Sequence, residues 1–279
     1  MSSKYLLNYK FREKDDRDYV YQSRLTAPIL KSVTIASTNT IPIFDQGSLG
    51  SCVANAFIQC INIMTKKTVM GSRLYLYFNG RAVAKYPLEL DDGLSVRDGC
   101  KSIAKYGLCD ENIWPYNVSL FADLPSLQAY QKSLLFKSFV YSFVNQDINS
   151  IKNCLNTTKN PIIFGINIYS SFLSVGSNGI IPLPNVKTET VEGGHCMIMI
   201  GYDDSNQWVI CVNSWGTEWG NKGICYLPYS YLLNPDLSSD FCTLSFNYST
   251  LPKTQQFKVQ LKSKKPQMSN LTKMKYTSL

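Results

Sequence analysis

Cys52, His195 and Asn213 present a thiol, an imidazole and a carboxamide in that order along the chain, and His195 is the one histidine in 279 residues. A thiolate is a strong nucleophile, an imidazole can take and return its proton, and an amide can hold the ring in one orientation. Gly47, Ser48 and Gly50 build a tight turn just ahead of Cys52. That turn predicts a helix starting at the cysteine, where unpaired backbone N–H groups and an imidazolium alongside would lower the thiol pKa. Acyl transfer also needs donors for an oxyanion, and the Cys52 N–H and the Gln46 carboxamide are the natural candidates.

These groups have to be brought together by the elements that carry them. Ser51 is expected to cap a helix from Cys52, with Ala56, Phe57, Cys60, Ile63 and Met64 on one face. Asp98 is expected to cap a second helix that runs to Tyr106 and stops at Gly107, and Asp123 and Asp147 are expected to cap two more. From Pro161 the pattern changes, and 162–169, 195–202, 207–213 and 223–227 read as strands. Asp203-Asp204-Ser205-Asn206 is a turn-rich tetrapeptide. A hairpin folded there sets His195 opposite residues near 213 and 214, within reach of the Asn213 amide. Helices first and strands later predict an α+β protein of two lobes.

Composition bounds the alternatives. An apolar fraction of 44% with 17% charged residues belongs to a globular chain. No apolar run is long enough for a bilayer span, and the first residues reach Lys10, Arg12 and Glu13 too soon for a secretory leader. The expectation is a protein without a signal peptide, cytoplasmic or, if viral, in the virion. Nine cysteines without a C-x-x-C pair, beside one histidine, give no zinc pattern, and no metal or cofactor is expected. The net charge of +8 is concentrated after Asp240, where seven lysines and no acidic residue form a basic tail. That tail suits a solvated terminus, or at most weak polyanion contact. The expected organisation is an N-terminal pro-segment or strap over 1–40, a folded core over 41–250 and a basic tail over 251–279. Oligomeric state is left open.

The chain resembles the papain-like, or cathepsin-like, cysteine proteases. The resemblance rests on Gln46-Gly47-Ser48-Leu49-Gly50-Ser51-Cys52, on Asn112-Ile113-Trp114-Pro115-Tyr116, on Gly193-Gly194-His195 and on Asn213 to Gly223. Cys-Val-Ala-Asn-Ala after the turn and Asp16-Arg17-Asp18-x-x-Tyr21 near the start are similar to the branch found in bacteria and giant viruses. The resemblance implies a helical lobe and a β-barrel-like sheet lobe with a cleft between them, and a polypeptide substrate bound extended in that cleft. It implies Cys52 as nucleophile, His195 as general base and acid, Asn213 as orienter and Gln46 in the oxyanion hole. Trp215 would shield the His195–Asn213 bond and, with Gly93 and Gly194, line the substrate's path. Leu49 and Val53 depart from the cysteine and tryptophan of many relatives. A single histidine also rules out the paired histidines of a cathepsin B occluding loop, so endopeptidase action is expected. Transglutaminases, deubiquitinases and acyltransferases share the triad logic, but Asn213 and the Trp-Gly after it favour a peptidase. The rival from another class is a catalytically silent papain-like binding or virion structural protein.

Overall fold

A computed structural model describes residues 4–12, 15, 16, 18–22, 28–133 and 139–246; the basic tail lies outside them. The first lobe contains α1 (Cys52–Met64), α2 (Arg73–Ala84), α3 (Val96–Tyr106) and α4 (Leu127–Ser133). The second is a sheet with β1 (Ser32–Thr34), β2 (Phe139–Phe143), β3 (Ile162–Tyr169), β4 (Val191–Asp203), β5 (Trp208–Val212), β6 (Ile224–Pro228) and β7 (Ser238–Phe246). Helix α5 (Ile148–Thr158) and the short α6 (Ser170–Leu173) and α7 (Tyr229–Leu232) accompany it. The seven strands pair antiparallel in the order β2-β7-β3-β4-β5-β6, with β1 on the end of β4. This α+β sheet is open, with β2 and β6 at its edges, and does not close into the expected barrel.

Within β3 and β4 the stretches 162–166 and 196–200 read as unbroken apolar runs because both of their faces are covered. Ile163, Cys196, Ile198 and Ile200 turn toward Phe57, Ile58 and Ile61 of α1, and Ile162, Phe164, Ile166, Met197 and Met199 toward Ile151 and Leu155 of α5. Helix α1 is buried from Cys52 to Asn62, so its polar residues find internal partners: Asn55 donates to the Ser51 carbonyl and Gln59 to that of Pro42.

Three expected caps differ from the structure. Ser51 makes no capping bond; its hydroxyl meets those of Tyr116 at 2.5 Å and the Asn55 amide at 3.0 Å. Ser95, not Asp98, caps α3, and Asp98 closes a reciprocal capping box from the third position. Asp147 caps α5 as expected, whereas Asp123 caps no helix; the Ser126 hydroxyl accepts from Ala129 N–H at the start of α4. All nine cysteines are reduced and buried. No helix among the described residues is long and apolar enough to cross a membrane.

Candidate active site

The start of α1 and the start of β4 meet where the two lobes touch. Backbone N–H groups of Cys196, Val53 and Cys52 act on the Cys52 thiol, placing the β4 residue after His195 beside the helix terminus. Strands β4 and β5 form the expected hairpin, with a register shift between Met199 and Gly201. Their paired residues end at Ile198 and Val212, and His195 Nε2 lies 2.7 Å from Asn213 Oδ1 just beyond.

That oxygen also accepts from the Ser214 N–H at 2.7 Å, which identifies it as the carbonyl end of the amide. His195 therefore donates from Nε2, leaving Nδ1 as the basic nitrogen. Nδ1 is buried and has no hydrogen-bond partner. The Ser214 hydroxyl donates to Gln46 Oε1 at 2.7 Å, and Gln46 Nε2 donates to the Leu49 carbonyl at 3.1 Å. One network thus joins His195, Asn213, Ser214 and Gln46 to the turn ahead of the cysteine. Trp215, 2% exposed, covers the imidazole with ring centroids 4.8 Å apart.

The loop before α3 is tied to the same turn. Asp91 accepts from the Gly50 N–H at 2.8 Å and from the Tyr77 hydroxyl, which in turn accepts from the Gly93 N–H at 3.2 Å. Buried Arg81 holds this loop by donating to the carbonyls of Leu88 and Leu90. Gly93 lies against Asn8, and its N–H is engaged by Tyr77.

The cleft is occupied by the chain's own residues 4–12. Tyr5 stacks on Trp215 with centroids 4.7 Å apart and donates to its carbonyl at 2.8 Å. Asn8 forms a parallel bridge with Gly194 and donates from Nδ2 to the Asp91 carbonyl at 2.6 Å. The Tyr9 N–H donates to the Gly194 carbonyl at 3.1 Å, and the Lys10 N–H to that of Leu94 at 3.0 Å. The trough beneath is floored by glycine: a β-carbon on Gly50, Gly93, Gly165, Gly193 or Gly194 would strike Leu7, Asn8 or Tyr9. Under this cover Cys52 and His195 are both 0% exposed.

Burial sets the protonation state of the covered site. It pushes the Cys52 thiol up to about 12, outweighing the downward pull of the backbone N–H groups. It lowers His195 to about 4, against a smaller upward contribution from Asn213. The sequence predicts a lowered thiol pKa; in the covered cleft desolvation dominates and both groups are neutral near pH 7. Asp91 and the Tyr9–Asp240 contact carry no sequence signal of their own, because each acts through a partner distant in the chain; Ser214 lies in the Asn213 to Gly223 stretch, but its bond to Gln46 spans the two lobes. Among the described residues no cluster of histidine, cysteine and carboxylate side chains could hold a metal.

The papain family cysteine protease model matches residues 91–232, a stretch that includes His195 and Asn213. An uncharacterized peptidase C1-like protein of Acanthamoeba polyphaga mimivirus is 35% identical over 212 residues, 71% of this chain and 67% of the relative. The chain belongs to the papain family of cysteine proteases. It is a peptidase, of the branch found in bacteria and giant viruses. The structure of xylellain, a cysteine protease from Xylella fastidiosa, superposes with a TM-score of 0.81 at 32% identity, covering 88% of this chain and 98% of xylellain. Digestive procathepsin L 3 of Tenebrio molitor shares the fold with a TM-score of 0.64 at 19% identity, over 82% of this chain and 74% of the other.

Proposed function

We propose that this papain-family chain is a cysteine endopeptidase, made latent by residues 4–12 lying in its substrate cleft. The observation that carries the reading is the network from His195 through Asn213 and Ser214 to Gln46, with Nδ1 left free and the next residue, Cys196, meeting the Cys52 thiol through its backbone N–H. Once the strap has left, His195 Nδ1 takes the Cys52 proton and the thiolate attacks the carbonyl carbon of an extended peptide. The Cys52 N–H and the Gln46 amide receive the oxyanion. As the C–N bond breaks, the leaving amine takes the proton from the imidazolium and a thioester remains on Cys52. Water, deprotonated by His195, then attacks the thioester and releases the acid. Asn213 keeps the ring turned throughout, and Trp215 keeps water off the bond that does so.

The same chemistry explains why the strap is not itself cut. A leaving amine has to sit on the His195 side, so the C-terminal half of a substrate runs toward Trp215. The strap places its N-terminal end there, with Tyr5 on Trp215, and runs away from it through Asn8 to Lys10. Its direction is the reverse of a substrate's, and its carbonyls face the wrong way for attack. The sealed thiol supports one rival, a catalytically silent binding or virion structural protein. Incubating a denatured protein substrate with the full chain, the Cys52→Ala chain and a chain lacking residues 1–12 separates the two. Hydrolysis by the shortened chain, lost on adding Cys52→Ala, is the expected result; no hydrolysis by any of them favours the rival.

A further inference from the structure

The strap carries a ligand into the cleft, the side chain of Tyr9. Its ring is 5% exposed and stands over Gly165 of β3, where any β-carbon would overlap it. At the closed end of this slot the Tyr9 hydroxyl donates to Oδ2 of Asp240 on β7. Asp240 is 8% exposed. The Arg12 N–H donates to the same oxygen at 3.1 Å, and Arg12 Nε lies 3.0 Å from Oδ1. Among the described residues, the hydrogen bonds and the ion pair that satisfy this carboxylate all come from the strap. When the strap leaves, Asp240 loses them at the end of the slot that Tyr9 filled among apolar core residues. A buried carboxylate stripped of its partners is costly, so whatever enters next is selected by its ability to supply a donor.

The position in a substrate follows from the strap's spacing. Asn8 lies on Gly50 beside the nucleophile turn, and Tyr9 is one residue further from it, away from Trp215. Resting on the peptidase reading, we propose that Asp240 determines specificity in this cleft, favouring polypeptides with tyrosine as the second residue before the scissile bond. Arginine and lysine, which also bring N–H donors, rank behind tyrosine because the slot is shaped for a ring. Phenylalanine fills the slot but leaves the carboxylate unpaired, and a site built to hydrogen-bond a group discriminates strongly against the analogue lacking it. Glutamate adds a like charge and is excluded.

The test uses the full chain with Tyr5→Ala and Tyr9→Ala, which empties the slot and loosens the strap. Peptides differing only at the second residue before the scissile bond are compared by kcat/KM. Tyrosine is expected to exceed phenylalanine at least tenfold and glutamate at least a hundredfold. Adding Asp240→Gly, which suits the left-handed φ of 60° at this position, is expected to bring the tyrosine-to-phenylalanine ratio close to one. Calorimetric binding of the same peptides to the chain that also carries Cys52→Ala reads the slot without hydrolysis. Equal affinity for the tyrosine and phenylalanine peptides, or binding of neither, overturns the proposal. Tighter tyrosine binding with no cleavage when Cys52 is present upholds the selectivity and overturns the peptidase reading instead.

Discussion

The N-terminal forty residues contain two stretches that bind the same body in different ways. Residues 4–12 rest on a glycine trough, held by a few backbone bonds and by the side chains of Tyr5, Asn8 and Tyr9. Residues 32–34 form β1, paired in register with Gly201–Asp203, and Val33 is buried in the core beneath. The first stretch covers Cys52 and His195, the groups proposed to do the chemistry; the second completes a sheet that has no part in it. On the proposed reading, the segment that leaves is fastened to the glycine trough and the segment that stays is fastened to the sheet.

The contrast breaks most visibly by deletion. A chain without residues 1–12 should react with a thiol-directed peptide inhibitor at least a hundredfold faster than the full chain and should keep its melting temperature within a few degrees. Extending the deletion through residue 36 should instead lower the melting temperature sharply, because β1 and Val33 go with it. Equal effects of the two deletions on stability would remove the distinction between the stretches.

Acid sharpens the same difference. In the covered site His195 is lowered to about 4, and in an opened, hydrated site it returns toward the ordinary value near 6.5. Protons therefore bind the open form more tightly, and acidification from about pH 6.5 to 4 favours opening by on the order of 3 kcal/mol. Cys52 labelling in the full chain should accelerate over that window, measured against the chain lacking residues 1–12. An acceleration of equal size in both chains would separate His195 from strap release.

Smaller effects follow from single side chains. Val33→Ala should cost about 1–2 kcal/mol in denaturant unfolding by opening a cavity, with no change in labelling rate. Ser214→Ala should lower kcat of the strap-free enzyme by about tenfold or less, since it loosens Gln46 while the Ser214 N–H still holds Asn213. A loss as large as that of His195→Ala would assign Ser214 a direct part in the chemistry.

Local spacing made much of this legible. The Asp203–Asn206 turn and the apolar runs on either side set the hairpin that joins His195 to Asn213, and the turn before Cys52 set the start of α1. Ser95 was missed as a cap because Asp98, an acidic residue before an apolar stretch, fits the same pattern from inside the helix. Helix α2 was missed because its buried polar residues, Asn79 and Arg81, blur the apolar stripe. Strand β7 lies next to β3 although their sequences are far apart, so the Tyr9–Asp240 contact could not be read from either segment. The thiol's raised pKa was equally hidden, since it depends on what lies across the cleft rather than on the helix terminus.

On the proposed reading Cys52 is a nucleophile sealed by residues 4–12. Intact mass after brief exposure to an epoxysuccinyl thiol-protease inhibitor tests it, comparing the full chain, the Tyr5→Ala, Tyr9→Ala chain, and that double variant with Cys52→Ala. Slow labelling of the full chain, rapid addition of a single adduct to the double variant, and none once Cys52 is removed are the expected results. Equal labelling rates with and without the strap substitutions, or an adduct that persists without Cys52, would contradict it.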